Sequence, residues 1–311
     1  MTSALNVEDL SVHYGNHNAL KPLSFQVQPK ELIGIIGPNG AGKTSLTKAL
    51  CGKVKHEGVV EINGTRVQKR QNRQKLLGLV PQDIGLYSHM SAKENLEVFS
   101  QIMGVPRQSR KDAISKAIKA VDLEDKADVL IKDLSGGMKR RINVAAAIMH
   151  DPKLIVFDEP TAGVDIPARD ALHRLARKLT EQGMAVLLVT HELEQAEALC
   201  DKVLVLAQGE KLAFDHPAVI LANSFSAARE VVVRYQSPPS DASLAAMKPF
   251  KFSQGELPTI WTAMTEASEA SFVSAFMGAF QNDHQHIREI SVRRPGLTSL
   301  MHKIEQTGAI G

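Results

Sequence analysis

Leu32-Ile33-Gly34-Ile35-Ile36-Gly37-Pro38-Asn39-Gly40-Ala41-Gly42-Lys43-Thr44 is the stretch whose reading decides the fold. The run Leu32 to Ile36 has the length and apolarity of a buried strand. Gly37 to Thr44 then fits G-x-x-x-x-G-K-[ST] at every fixed position. Ser45 to Leu50 follows with helix formers and no breaker. Strand, glycine loop and helix together describe a phosphate cradle. Gly37, Gly40 and Gly42 let successive N–H groups turn inward, and the helix aims its positive end at the same point. Lys43 is placed to neutralise the β- and γ-phosphates, and the Thr44 hydroxyl to reach Mg²⁺. A plain Gly-rich turn before a core helix is the competing reading, and the flanks speak against it.

The bulk composition fits such a protein. A chain of 311 residues allows one large domain or two. Hydrophobic residues at 43% and charged residues at 23% are ordinary for a soluble globular chain. A net charge of +3 is too small to point to nucleic acid. Cys51 and Cys200 read as buried reduced thiols, which suits a reducing compartment. The start, MTSALNVEDL, lacks the basic and apolar regions of a signal peptide. No apolar run approaches the about 20 residues of a spanning helix. The chain is expected to dock on a membrane protein rather than cross the bilayer.

Outward from the loop, residues 4–13 alternate like an edge strand, and Ser24 to Gln28 reads as another. Tyr14 falls in the turn between them. An aromatic there suits base stacking and equally suits a bare surface turn. Arg66, Lys69, Arg70, Arg73 and Lys75 make a basic stretch with no interleaved aromatic, which reads as a solvated face. Leu76 to Val80 is a buried strand, and Gln82 lies just beyond its end. A glutamine so placed can reach a metal or an attacking water. Ser91-Ala-Lys-Glu94 is a capping box. It opens a helical block, roughly 86–133, among neighbours that alternate strand and helix.

Leu134-Ser135-Gly136-Gly137 leads into the next helix, with Ser135 as N-cap and an open, anion-accepting start. Arg140 and Arg141 read as surface charges. Leu154 to Phe157 is a buried strand ending in Asp158-Glu159-Pro160. Adjacent strand residues point opposite ways, so the two acids separate in role. Asp158 suits Mg²⁺, and Glu159 suits polarising a water for attack on the γ-phosphate. His191 follows the buried strand Met184 to Val189. Beside a phosphate loop, its imidazole can donate to the γ-phosphate.

From about Phe225 the pattern changes to a small α+β domain, carrying no Gly-rich loop, acid pair or metal-spaced cysteines. Phe272, Phe276 and Phe280 recur every four residues as a core face. His284 and His286 lack a third ligand and read as surface residues. Trp261 has no evident role.

Phosphate loop, glutamine, LSGG, apolar-Asp-Glu-Pro and histidine stand in a fixed order. That order resembles the ATP-binding cassette ATPase, the nucleotide-binding subunit of ABC transporters, over residues 1 to about 224. The resemblance implies a P-loop NTPase cassette: a RecA-like α/β core, an antiparallel β subdomain and a helical subdomain at about 86–150. Residues 225–311 would form an accessory α+β domain. It matches Tyr14 to the base-stacking aromatic and Gly37, Pro38, Asn39, Gly40, Ala41, Gly42, Lys43, Thr44 and Ser45 to the Walker A loop. It matches Gln82 to the metal- and water-sensing glutamine, and Ser135, Gly136 and Gly137 to the signature. Asp158 becomes the Walker B acid, Glu159 the catalytic acid, Asp165 the cross-dimer aspartate and His191 the γ-phosphate switch.

Met138 departs from the usual glutamine after LSGG. LSGGMKRR, Ala162-Gly163-Val164-Asp165 and the tail Ile290-Ser-Val-Arg-Arg-Pro295 look like the branch of drug- and antibiotic-resistance exporters. The resemblance implies ATP and Mg²⁺ as ligands and a second copy, or a close relative, whose Ser135 and Gly137 would close each site. It also implies a separate membrane permease, and a peripheral place on the cytoplasmic face of the inner (plasma) membrane. No nucleic acid is expected. The alternative is a soluble cassette ATPase acting on nucleic acid or ribosomes. Such proteins usually carry two cassettes, a long coiled coil or a zinc insertion, none of which this sequence shows.

Overall fold

The computed structural model describes residues 2–67, 75–255, 257–279 and 286–310. Most of the basic stretch, together with Phe280 and His284, lies outside them. The chain divides into two compact units, Met1–Pro217 and Ala218–Gly311. The sequence reading placed the change of character at 224/225. The contacts divide the chain after Pro217, so the helix Pro217–Phe225 falls, but for its first residue, in the second unit.

In the first unit, β1 (Leu5–Tyr14), β2 (His17–Val27), β4 (Glu57–Ile62) and β5 (Thr65–Arg66) form an antiparallel sheet of order β2-β1-β4-β5. β1 ends one residue later than its alternation predicts, and β2 runs longer. Tyr14 is therefore the last residue of β1, paired with His17, rather than a free turn residue. A second sheet has the order β10-β9-β3-β8-β7-β6. Its members are β3 (Leu32–Ile36), β6 (Leu77–Val80), β7 (Leu154–Asp158), β8 (Ala185–Val189), β9 (Lys202–Ala207) and β10 (Glu210–Asp215). All neighbours are parallel except β10 against β9. A parallel sheet is covered on both faces, which is why β3, β7 and β8 are continuous apolar runs. All five residues of β3 are buried.

Helix α1 (Lys43–Leu50) sends Leu46, Ala49 and Leu50 into one apolar cluster. There they meet Leu5, Val7, Leu10 and Phe25 of the antiparallel sheet and Ile33, Ile35, Val156, Leu187 and Leu204 of the parallel one. Burying a side chain of this size contributes about 1.5–3 kcal/mol, so the loop stands on a fully buried apolar core.

The helical block holds α2 (Ala92–Ile102) and α3 (Arg110–Ala120). The capping box forms: Glu94 N–H donates to Ser91 Oγ at 3.2 Å, and Ser91 N–H donates to Glu94 Oε2 at 2.7 Å. Asn95 is fully buried, donates to the Tyr87 and Ser91 carbonyls and accepts from Tyr87 N–H. It thereby fixes the turn ahead of α2. Helix α4 (Gly136–Ile148) follows the signature and α5 (Ile166–Glu181) follows β7, while α6 (Leu193–Leu199) follows β8.

The second unit begins with α7 (Pro217–Phe225). Its antiparallel sheet has the order β12-β13-β11-β14. These strands are β11 (Arg229–Tyr235), β12 (Ser253–Gln254), β13 (Ile260–Thr265) and β14 (Ile287–Arg293). Helices α8 (Asp241–Met247) and α9 (Glu269–Ala279) interleave with them, and α10 (Leu297–Thr307) ends the unit. Val231, Val233 and Tyr235 pack on Phe272 and Phe276, as the fourfold spacing of the phenylalanines predicts. Trp261 also packs against this cluster. On β11, buried Glu230 accepts from Arg293 Nε at 2.7 Å and from the Ser299 hydroxyl at 2.8 Å. Helix α8 lies in a stretch the sequence reading gave only as turn-rich. Its seven residues, with three alanines, are too short to show a helical period.

Candidate functional site

Strand registers bring most of the predicted site residues to one edge. Ile35 pairs with Val189, Asp158 with Val189, and Val80 with Phe157. The carboxyl ends of β3, β6, β7 and β8 therefore lie side by side, where open α/β sheets bind ligands. The phosphate loop leaves β3, Gln82 follows β6, Asp158 and Glu159 end β7, and His191 follows β8.

Gly37 has φ +154°, and a Cβ there would lie 2.1 Å from the Leu206 carbonyl oxygen of β9. Gly42, with φ +103°, is the N-cap of α1 and approaches the Ala19 carbonyl of β2 just as closely as glycine permits. The loop is thus wedged between two strands, and only glycine fits either point. Lys43 Nζ donates back to Gly37 O at 2.6 Å and Pro38 O at 3.0 Å. Burial holds its pKa below the ordinary lysine value, opposed by the charge of Glu159. An anion in the cradle would relieve that cost. Asn39, Gly40 and Thr44 are exposed, Gly37, Pro38 and Ser45 are half-buried, and Ala41 is buried.

Asp158 and Glu159 are half-buried. Burial first, and then the Glu159 charge, push the Asp158 carboxyl up, while Lys53 and Lys48 draw it down. Glu159 has φ +48°, rare for a residue other than glycine. Its N–H donates to Val189 O at 3.0 Å. Its Oε2 lies 3.6 Å from Nδ1 of the exposed His191. Lys43, Asp158, Glu159 and His191 are thereby brought together. Gln82 is exposed at the neighbouring strand end.

The other predicted residues are held on different supports. Ser135 caps α4 by accepting from Met138 N–H at 3.3 Å. A Cβ on Gly137 would lie 2.5 Å from Ala168 Cβ, so α4 begins directly against α5, while Gly136 stands open. Asp165 is the N-cap of α5 and accepts from Ala168 N–H at 2.9 Å. Among the described residues, no hydrogen bond or ion pair joins Ser135, Gly136, Gly137 or Asp165 to the phosphate loop. Tyr14 is exposed at the end of β1.

Arg140 is not a surface charge but 7% exposed. Its guanidinium donates to the Gln82 carbonyl and, at 2.9 Å, to the Ala162 carbonyl. It ties the loop after β6 to the turn after Glu159. Its position in the α4 pattern, beside the second arginine, gave no sign of this, because the partners are backbone carbonyls 58 and 22 residues away. Arg141 instead donates to the Val121 and Asp122 carbonyls.

Two concavities flank this unit. The larger, about 850 Å³, lies at the amino ends of β6, β7 and β8, away from the reacting edge, and is lined by Met103, Pro106, Lys116, His150 and Met184 among others. The smaller, about 320 Å³, lies by the Gln82 loop between Cys51, Leu79, Pro81, Phe99 and Ile102. Ile84, Tyr87 and Ile102 are exposed apolar side chains of that region. No described helix is long and apolar enough to cross a membrane.

The family model for ABC transporters matches residues 20–162. The linearmycin resistance ATP-binding protein of Bacillus subtilis (strain 168) is 36% identical over 211 residues, which is 67% of this chain and 68% of that protein. A Nod factor export ATP-binding protein I of Rhizobium meliloti (strain 1021) is 35% identical over 244 residues, 78% and 72% of the two chains. The solved ATP-binding subunit of an ABC transporter superposes with a TM-score of 0.63 at 28% identity, covering 71% of this chain and 93% of that one. The cbiO1 subunit from Clostridium perfringens, part of an ABC transporter complex, gives 0.66 at 26% identity, covering 71% and 92%.

Proposed function

The chain belongs to the ABC transporter family as an ATP-binding, ATP-hydrolysing subunit, and on that premise we propose that it powers an exporter, working as a pair of copies on a separate membrane-spanning permease. The observation that carries this reading is the divided site. Lys43, Asp158, Glu159 and His191 share one edge, while the signature turn Ser135-Gly136-Gly137 is built on α4 against α5, with no hydrogen bond or ion pair to the phosphate loop among the described residues. A second copy, facing the first, supplies its Ser135 and Gly137 to the γ-phosphate.

The donor set fits Mg²⁺. Among the described residues no group of three or more His, Cys, Asp or Glu side chains forms a metal cluster. One raised carboxylate at Asp158, the Thr44 hydroxyl and the Gln82 amide are hard oxygen donors. They suit a cation that takes its remaining oxygens from phosphate and water. When bound, that ion supplies charge neutralisation at the β- and γ-phosphates.

The chain's own residues do the rest. Walker loop N–H groups from Asn39 to Ser45 and the Lys43 ammonium hold the phosphates. Tyr14 stacks on the base. Glu159 orients and deprotonates the attacking water, and His191 donates to the γ-phosphate. Asp165 lies at the start of α5, where a facing copy meets it. Closure of the pair around two ATP molecules and reopening after hydrolysis would move the permease through the Gln82 loop and its 320 Å³ groove. On this reading the protein sits peripherally on the cytoplasmic side of the membrane. The names of the relatives, one for linearmycin resistance and one for Nod factor export, favour export and give no substrate for this chain.

The test is Glu159→Gln with saturating ATP and Mg²⁺, with mass measured in solution. The reading expects a stable dimer with little turnover. A variant that stays monomeric under those conditions overturns the paired mechanism.

A further inference from the structure

Glu192 follows His191 directly, and its side chain lies on α5. Its Oε2 lies 3.5 Å from His173 Nε2, and its Oε1 lies 3.7 Å from an Arg169 guanidinium nitrogen. His173 is 4% exposed. These are ion-pair separations, longer than hydrogen bonds. Glu192 Oε2, which faces His173 Nε2, is buried without a hydrogen-bond partner; so are His173 Nδ1, the other nitrogen of that ring, and Arg169 Nε, which lies 3.9 Å from Asp170 Oδ1. Buried polar atoms left in this state are uncommon and costly, and each calls for a reason. Burial also holds the His173 imidazole below its ordinary pKa, against the pull of Glu192.

The backbone of the same segment is tied elsewhere. Glu192 N–H donates to Thr190 Oγ1 at 2.9 Å, and Thr190 N–H donates to Ile35 O at 3.3 Å, on the strand that feeds the phosphate loop. His191 thus stands on a segment with one firm support, β3, and one loose support, α5. Helix α5 also begins at Asp165 and carries Ala168 against Gly137 of the signature turn.

We propose that His173 and Arg169 are positioning residues for His191, acting through Glu192, and that this half-made cluster links the His191 segment to the helix bearing Asp165 and Ala168. A shift of a fraction of an ångström brings the three groups into hydrogen-bond range. Drawing His191 toward a γ-phosphate makes that shift, and it is felt at the signature turn of the same chain. In a pair of copies that turn serves the other ATP, so the cluster lies between the two sites. The inference rests on the assignment of His191 to the γ-phosphate.

The experiment is a double-mutant cycle on steady-state phosphate release by the full chain. Glu192→Gln is expected to lower kcat on the order of tenfold with KM for ATP changed by less than about twofold. In a His191→Ala background the same substitution is expected to do nothing further. Glu194→Gln, on the exposed face of α6, is the control and leaves kcat unchanged. Should Glu192→Gln melt early, His173→Gln enters the same cycle. Unchanged kcat in the Glu192 or His173 variant overturns the inference. So does an equal fall in both backgrounds, which marks a merely structural contact. A His191→Ala protein with undiminished kcat shows instead that the His191 assignment itself has failed.

Discussion

Arg140→Met probes the tie that this side chain makes between the two loops that flank the acid pair. Methionine keeps the apolar stem and much of the volume. It removes the donors to the Gln82 and Ala162 carbonyls and the longer approach to Pro81 O at 3.5 Å. Two charge-assisted bonds at about 1.5–3 kcal/mol each give a gross loss of about 3–6 kcal/mol. Against this stands the desolvation of a buried guanidinium, several kcal/mol in general, and Nε of Arg140 has no partner. Gln82 is exposed, so water can replace one bond. The net loss is about 1–3 kcal/mol, a fall in melting temperature of about 2–4 °C per kcal/mol for a unit of this size. The functional effect is larger than the thermal one. Both loops sit beside Asp158 and Glu159, and misplacement by about 1 Å can cost a hundredfold in rate. Phosphate release should show kcat reduced about 10- to 100-fold. Nucleotide affinity, measured with a fluorescent ATP analogue, should stay within about threefold, since the phosphate loop rests on β2 and β9 instead. Lysine at 140 keeps the charge but cannot span two carbonyls, and should recover little. A methionine variant with normal kcat and melting temperature would refute the role of this tie.

Two further outcomes follow from the same edge. Gly37→Ala must move the Leu206 carbonyl or the loop, because the added carbon sits 2.1 Å from it at a φ that strains any L residue. Loss of ATP binding and a destabilisation of about 2–5 kcal/mol are expected by calorimetry, and a variant that binds ATP normally would show the wedge to be slack. In Mg²⁺-free protein, Asp158→Asn should raise the melting temperature at pH 7. The folded carboxyl is raised above 3.8, so the native state binds the extra proton. Stability falls as pH rises from the unfolded toward the folded pKa, and the loss persists above it. The gain from asparagine should therefore fade as pH drops below about 4, and a gain that is flat with pH would contradict the buried-acid account.

The meeting of the candidate site residues at one sheet edge was largely legible in the sequence, because each of them sits at a chain landmark. Lys43 and Thr44 close a glycine loop, Asp158 and Glu159 end an apolar run, and His191 follows another. Parallel strands bring such ends together whatever lies between them. Local patterns do not report partners distant in the chain. Arg140 looked like half of an exposed basic pair, since its carbonyl partners leave no side-chain signature. His173 and Glu192 sit in ordinary helical and cap contexts, and their meeting depends on how α5 packs beside the end of β8. Strand β2 was missed over most of its length because its exposed and buried residues do not alternate cleanly. The bulged register with β1 breaks the period of two.

The left-handed backbone of Glu159 carries a consequence for laboratory evolution. An L residue in that conformation costs about 1–2 kcal/mol, a cost glycine avoids and asparagine reduces. A library randomised at position 159 and sorted only for survival of heating would enrich glycine and asparagine and lose glutamate. The same library sorted for turnover would return glutamate. The position thus sets fitness for persistence against fitness for work, and which residue a lineage holds there records which of the two its environment has demanded.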